Sequence, residues 1–171
     1  MKRLWLIGAL LLLLTVLPSC KKKDESAFQL GKTPAVITLS PETPQGARLV
    51  LKTALRDGKL VAESLTVLAP ETLAGTVFRF DGGITACFGE LEIPLEVNAG
   101  VSIGLLAEAF LLGEEDFEKE TEGTLRTLTL KKDAGRITLY ISGDSSPPER
   151  VVIETENAKI DAEITSIEPA A

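Results

Sequence analysis

The sequence predicts a mainly β domain of the α+β class, an antiparallel meander of short strands curved around one principal helix. Three observations carry that expectation. Apolar and polar residues alternate in short segments along most of the chain. Compact turn signals join those segments in pairs: Asp57-Gly58, Asp81-Gly82-Gly83, Asp133-Ala134-Gly135 and Asn157-Ala158. One apolar block, Val101 to Leu112, breaks the two-residue rhythm and reads as a helix.

The first element is an address. Lys2 and Arg3 precede an uncharged run from Leu4 to Leu17, and Pro18, Ser19 and Cys20 follow. That is the layout of an export signal, and the run is shorter than the about 20 residues that span a bilayer. Leu17-Pro18-Ser19-Cys20 resembles the bacterial lipobox, with an aliphatic residue at −3 and a small one at −1. The resemblance implies diacylglyceryl transfer to the Cys20 thiol and cleavage between Ser19 and Cys20. Residues 1–19 are then the signal peptide, and residues 20–32 form the lipidated cysteine and a membrane-proximal tether. Two acyl chains suffice for durable anchoring, where one is marginal. Lys21, Lys22 and Lys23 would meet anionic headgroups at about 1 kcal/mol each.

The mature domain, residues 33–171, is long enough to bury one core. Ala35 to Leu39 and Leu49 to Leu55 alternate, the second with Leu49, Leu51 and Leu55 on one face and Lys52 and Arg56 on the other. Asp57-Gly58 turns the chain into a partner strand, Leu60 to Leu68, because both residue types tolerate the positive φ of a two-residue loop. Thr76 to Phe80 pairs with Ile84 to Phe88 across Asp81-Gly82-Gly83, and Thr124 to Leu130 with Ile137 to Ile141 across Asp133-Ala134-Gly135. Val151 to Thr155 and Lys159 to Ile167 flank Asn157-Ala158. In the helical block only Ser102 and Glu108 are strongly polar, and Gly113 stands at its end as a stop signal. A helix apolar on most of its circumference wants cover on more than one side, which the concavity of a curved sheet provides.

Composition excludes whole classes of chemistry. Without histidine there is no Ser-His-Asp or Cys-His nucleophile and no imidazole metal site. The formal charge of −7, which becomes −9 once Lys2 and Arg3 leave with the signal peptide, is the wrong sign for nucleic acid. Cys87 is the one thiol besides Cys20, and inside Ile84-Thr85-Ala86-Cys87-Phe88 it reads as a small buried residue. Glu114, Glu115, Asp116, Glu118, Glu120 and Glu122 lack the ligand spacing of a calcium loop and read as a solvated loop. No glycine-rich phosphate loop is present, and no cofactor or metal is expected.

Pro70-Glu71-Thr72-Leu73-Ala74-Gly75, Phe78-Arg79-Phe80-Asp81-Gly82-Gly83 and Phe88-Gly89-Glu90-Leu91-Glu92-Ile93-Pro94, together with the lipobox and the single inserted helix, resemble the LolA/LolB-like lipoprotein superfamily of the LppX/LprG type. The resemblance implies an incomplete antiparallel barrel, a half-barrel wrapped around its helix and able to hold acyl chains. Phe78, Phe80, Phe88, Leu105, Leu106 and Phe110 are then the candidate lining of an apolar groove, or the core that fills it.

The expected protein is thus a non-enzymatic lipoprotein on the extracytoplasmic face of the cell membrane, or of the outer membrane in a host that has two. Its partners are the membrane, through lipidated Cys20, and a lipid or other apolar ligand in the half-barrel. The alternative is a lipid-anchored envelope protein with a solid core, no ligand and a protein partner.

Overall fold

The computed structural model describes residues 28–143 and 147–170. The signal peptide, the Ser19/Cys20 cleavage site, Cys20 itself and most of the tether lie outside the described residues. Leu30 is buried in the core and Phe28 packs against it, so these two residues of the expected tether contact the domain.

Among the described residues, eleven strands form one antiparallel sheet: β1 (Ala35–Pro41), β2 (Arg48–Arg56), β3 (Lys59–Ala69), β4 (Val77–Arg79), β5 (Thr85–Phe88), β6 (Leu91–Pro94), β7 (Glu118–Glu122), β8 (Leu125–Lys132), β9 (Gly135–Ser142), β10 (Arg150–Glu154) and β11 (Lys159–Pro169). Helix α1 (Val97–Glu108) and a 3-10 turn (Glu114–Asp116) connect β6 to β7. The spatial order is β6-β5-β4-β3-β2-β1-β11-β10-β9-β8-β7. Each strand therefore pairs with its sequence neighbours, except that the first also pairs with the last, and the sheet stays open between β6 and β7. The chain crosses that opening through α1.

Curvature follows from the contacts of α1, which touches β3 on one side and β9 and β10 on the other. Five strand spacings separate β3 from β9, about 24 Å if the sheet were flat. A helix is about 10–12 Å across, so the sheet must curl around it. This is the curved half-barrel with a helix in its concavity.

The turn residues set the register. Asp57 and Gly58 both have positive φ, 51° and 75°, the mirror-image turn whose twist matches paired strands. Bulges then keep apolar residues inward. Glu63 and Leu68 of β3 have no partner on β2, so Ala62, Leu65 and Val67 all face the core, opposite Thr53, Leu51 and Leu49. Thr165 is skipped in the β1–β11 pairing, which leaves Ile164 and Ile167 on one face although they are three residues apart. The outcome is a continuous inner row, Ile167-Ile37-Leu51-Leu65-Phe78-Ala86-Ile93, running across seven strands.

Thr53 is the one polar member of the inner face of β2, and it is buried. Its hydroxyl accepts the Ala35 N–H at 2.8 Å and donates to the Ala35 carbonyl at 3.3 Å. The β1–β2 ladder runs from Val36/Lys52, so this side chain extends the pairing by one residue. Thr53→Val keeps the shape and leaves both Ala35 groups unpaired. It is expected to lower unfolding free energy by about 1–3 kcal/mol in urea titrations.

Helix α1 sits four residues earlier than the apolar block indicated. Ala109, Phe110, Leu111 and Leu112 continue as turns, with bonds from the Phe110 and Leu111 N–H groups to carbonyls three residues back. Gly113 is not a left-handed stop: its φ is −77°, and it caps the following 3-10 turn, its N–H donating to Asp116 at 2.9 Å. Gly100 and Gly104 let Ile84 lie against the helix, where a Cβ on Gly100 would come within 3.1 Å of the Ile84 Cδ1.

On the outer face, Arg150 holds Asp161 through two bonds of 2.6 Å and lies over the Tyr140 ring. The guanidinium bonds keep the Asp161 carboxyl below the usual carboxylate range.

Candidate functional site

The candidate residues divide into two groups along the inner face. Leu106 and Phe110 are 0% and 1% exposed and Leu105 is 5% exposed, so this part of the concavity is solid packing around α1 and its C-terminal turn. Phe78 on β4 and Phe80, just beyond it, are half-buried at the margin of that core.

Phe88 is 44% exposed and does not join the core. It pairs with Leu91 on β6, which is 59% exposed, and the next inward residue of β6, Ile93, is 43% exposed. Cross-strand partners share a face, so Phe88, Leu91 and Ile93 continue the inner rows of Phe78 and Ala86 beyond the reach of the helix. The other face of the same strands is polar: Arg79 and Glu92 form a 2.6 Å ion pair there, and the Glu92 bond holds the Arg79 guanidinium above its ordinary value. Cys87, read as buried, is half-buried on that outer side, between Val77 and Glu92.

Leu91 and Ile93 escaped the sequence reading. Their signal is the alternation Glu90-Leu91-Glu92-Ile93, four residues that look like a turn until β5 is known to lie beside them.

The two open edges differ. On β7 the sequence Glu-Lys-Glu-Thr-Glu is exposed throughout and guards the edge with charge. The acidic segment read as a loop is thus a 3-10 turn followed by an edge strand, with Glu114 paired to Lys119 at 3.3 Å and to Arg126 at 3.0 Å. Among the described residues, no three His, Cys, Asp or Glu side chains are placed to share a metal ion. Edge β6 is unguarded on its inner side, where Leu91 and Ile93 stand.

Two polar clefts border the packed centre. One of about 390 Å³ lies between Val101 and Ser102 of α1 and the turns at Asp133-Ala134 and Asn157-Ala158. The other, about 340 Å³, lies over the inner side of β7 and β8 beside Phe28 and Leu30.

No family model matches the chain. None of the curated proteins matches it either. Among solved structures, the chain is similar to the crystal structure of a LolA superfamily protein from Nitrosomonas europaea, with 12% identity and a TM-score of 0.43, over 82% of this chain and 87% of that one.

Proposed function

We propose that the chain is a membrane-anchored, extracytoplasmic binding module without catalytic chemistry, which holds an apolar ligand such as an acyl chain on the inner face of β5 and β6. The observation that carries this reading is the strip Phe88-Leu91-Ile93, exposed on the concave side of an open sheet edge. Large exposed apolar patches on a soluble surface mark binding sites, because water leaves them at a gain. Covering three half-exposed side chains is worth on the order of 3 kcal/mol from the protein side, with a similar contribution from the ligand. The ligand lies beside the helix and not beneath it, since Leu106 and Phe110 already fill that space.

In this reading Cys20, lipidated after cleavage at Ser19, fixes the domain to the membrane on the extracytoplasmic face. A fatty-acid analogue fed to cells should then mark the wild-type chain, and Cys20→Ser should abolish the mark. Labelling that survives the substitution would contradict the anchor. For the ligand, an environment-sensitive fluorescent fatty acid should bind the chain from residue 21 onward, and Leu91→Ser with Ile93→Ser should weaken it at least fivefold. Equal binding by the double variant would remove the strip from the account.

One observation favours a second reading, a lipid-anchored envelope protein that contacts a protein partner. The strip borders the free backbone edge of β6, where an added strand could pair. A wild-type chain that binds no apolar probe would select it.

A further inference from the structure

We propose that the cleft over β7 and β8 is an oxyanion site, taking a carboxylate or phosphate carried on an apolar stem, distinct from the strip on the opposite edge. Arg126 occupies an inward position of β8. Leu128 in the same strand is fully buried, Leu130 packs on the core, and the Arg126 partner on β9, Ile141, is buried as well. A strand built by burial alone would carry an apolar residue there, and a desolvated guanidinium needs partners for its N–H groups. Among the described residues one partner is supplied: Nη1 donates to Glu114 at 3.0 Å. The Nε is buried and has no hydrogen-bond partner among the described residues. Nε–H and the adjacent Nη2 form one edge of the guanidinium, spaced to meet two oxygens of a carboxylate or phosphate once a side-chain shift uncovers Nε.

The surroundings suit such a head. Lys119, inward on β7 opposite Leu128, and Lys32 line the same cleft, so three cations stand against Glu114 and Glu115 in a chain of net charge −7. The rest of the lining is mostly apolar, with Phe28, Leu30, Ile141, Pro147 and Pro148 beside Gln29, and the volume of about 340 Å³ falls within the range of small-ligand sites. An oxyanion head on an alkyl stem meets both halves, whereas a bare anion leaves the apolar wall wet. Phe28 is eight residues after Cys20, a reach of at most about 29 Å, so a membrane headgroup and a soluble amphiphile both come within range.

The test is calorimetric titration of hexyl phosphate, hexanoate and hexanol into the full chain held in phosphatidylcholine nanodiscs, with empty discs subtracted. The two anions should saturate one site and hexanol should not. Arg126→Gln should weaken hexyl phosphate at least tenfold. Lys119→Gln, a change at an exposed side chain that leaves the core intact, should weaken it severalfold. Glu114→Gln should tighten it severalfold, because the internal competitor for Arg126 and Lys119 is gone; a merely structural ion pair would not give that gain. Leu91→Ser should change nothing, which separates this site from the apolar strip. Replacing the disc lipid with phosphatidylglycerol then assigns the source: weaker hexyl phosphate binding identifies a lipid headgroup as the natural occupant, and unchanged binding identifies a soluble amphiphile. Absence of saturation by either anion, equal binding of hexanol, or unchanged affinity in both Arg126→Gln and Lys119→Gln would overturn the proposal.

Discussion

Phe110→Ala is expected to cost about 3–5 kcal/mol, a large share of the roughly 5–15 kcal/mol that holds a domain of this size together. Phe110 is the bulkiest of the fully buried side chains among the described residues and sits in the turn that follows α1, inside the concavity. Truncation removes its transfer energy and leaves a cavity that the surrounding sheet cannot close. Such rigidity is expected of a sheet already committed to eleven paired strands. Urea unfolding should show the midpoint falling with little change in slope. Phe110→Leu keeps most of the volume and should lose far less.

Gly135→Ala is expected to be as damaging, through the backbone instead of a cavity. Gly135 opens β9 with φ of 152°, and a Cβ there would lie 2.3 Å from the Glu154 carbonyl oxygen and 3.1 Å from the Leu105 Cδ1. That oxygen cannot retreat freely, because Arg136 next to Gly135 is paired with Glu154 in the β9–β10 ladder. A loss of about 3 kcal/mol or more follows from strain of this kind. Gly123→Ala is the control. Gly123 also has positive φ, 62°, but nothing lies within 4 Å of its added Cβ, so it should lose only about 1–2 kcal/mol. The difference between the two variants, measured in the same urea series, reports the close approach together with the wider φ of Gly135.

Much of the fold was legible because its connections are local. Asp57-Gly58 announces its hairpin through the positive φ both residues adopt, Asp133-Ala134 through turn-forming residues set between two alternating runs, and the flanking strands differ from the expected spans by two residues or fewer at either end. What was not legible had no local signal. The pairing of β1 with β11 joins residues more than a hundred positions apart, and the bulges at Glu63 and Thr165 appear only when two strands lie side by side. Edge strand β7 is wet on both faces, so it carries no apolar period and reads as a loop. The helix was displaced by four residues because apolar residues report burial, not helicity: Ala109 to Leu112 enter the core or pack on it as turns. The same distinction divides the candidate site. Phe88 and Phe110 look alike in sequence, yet one ends on the uncovered inner face of β5 and the other in the buried turn after α1. Arg126 was overlooked although Leu-Arg-Thr-Leu-Thr-Leu places it in phase with Leu128 and Leu130, because an inward arginine is visible only once the inward face is known.

One inner face holds a solid core around α1 and an open apolar strip on β5 and β6. Urea unfolding and fluorescent fatty-acid titration, run together on Phe110→Ala and on Leu91→Ser with Ile93→Ser, separate the two parts. The expected result is a crossover. Phe110→Ala should lose about 3–5 kcal/mol of stability while, under conditions where it remains folded, its probe affinity stays within twofold of wild type. The Leu91/Ile93 variant should keep its stability within about 1 kcal/mol, as exposed sites do, and lose probe affinity at least fivefold. Probe binding that falls with Phe110→Ala and survives loss of the strip would place the ligand beneath the helix and contradict the division of the face drawn here.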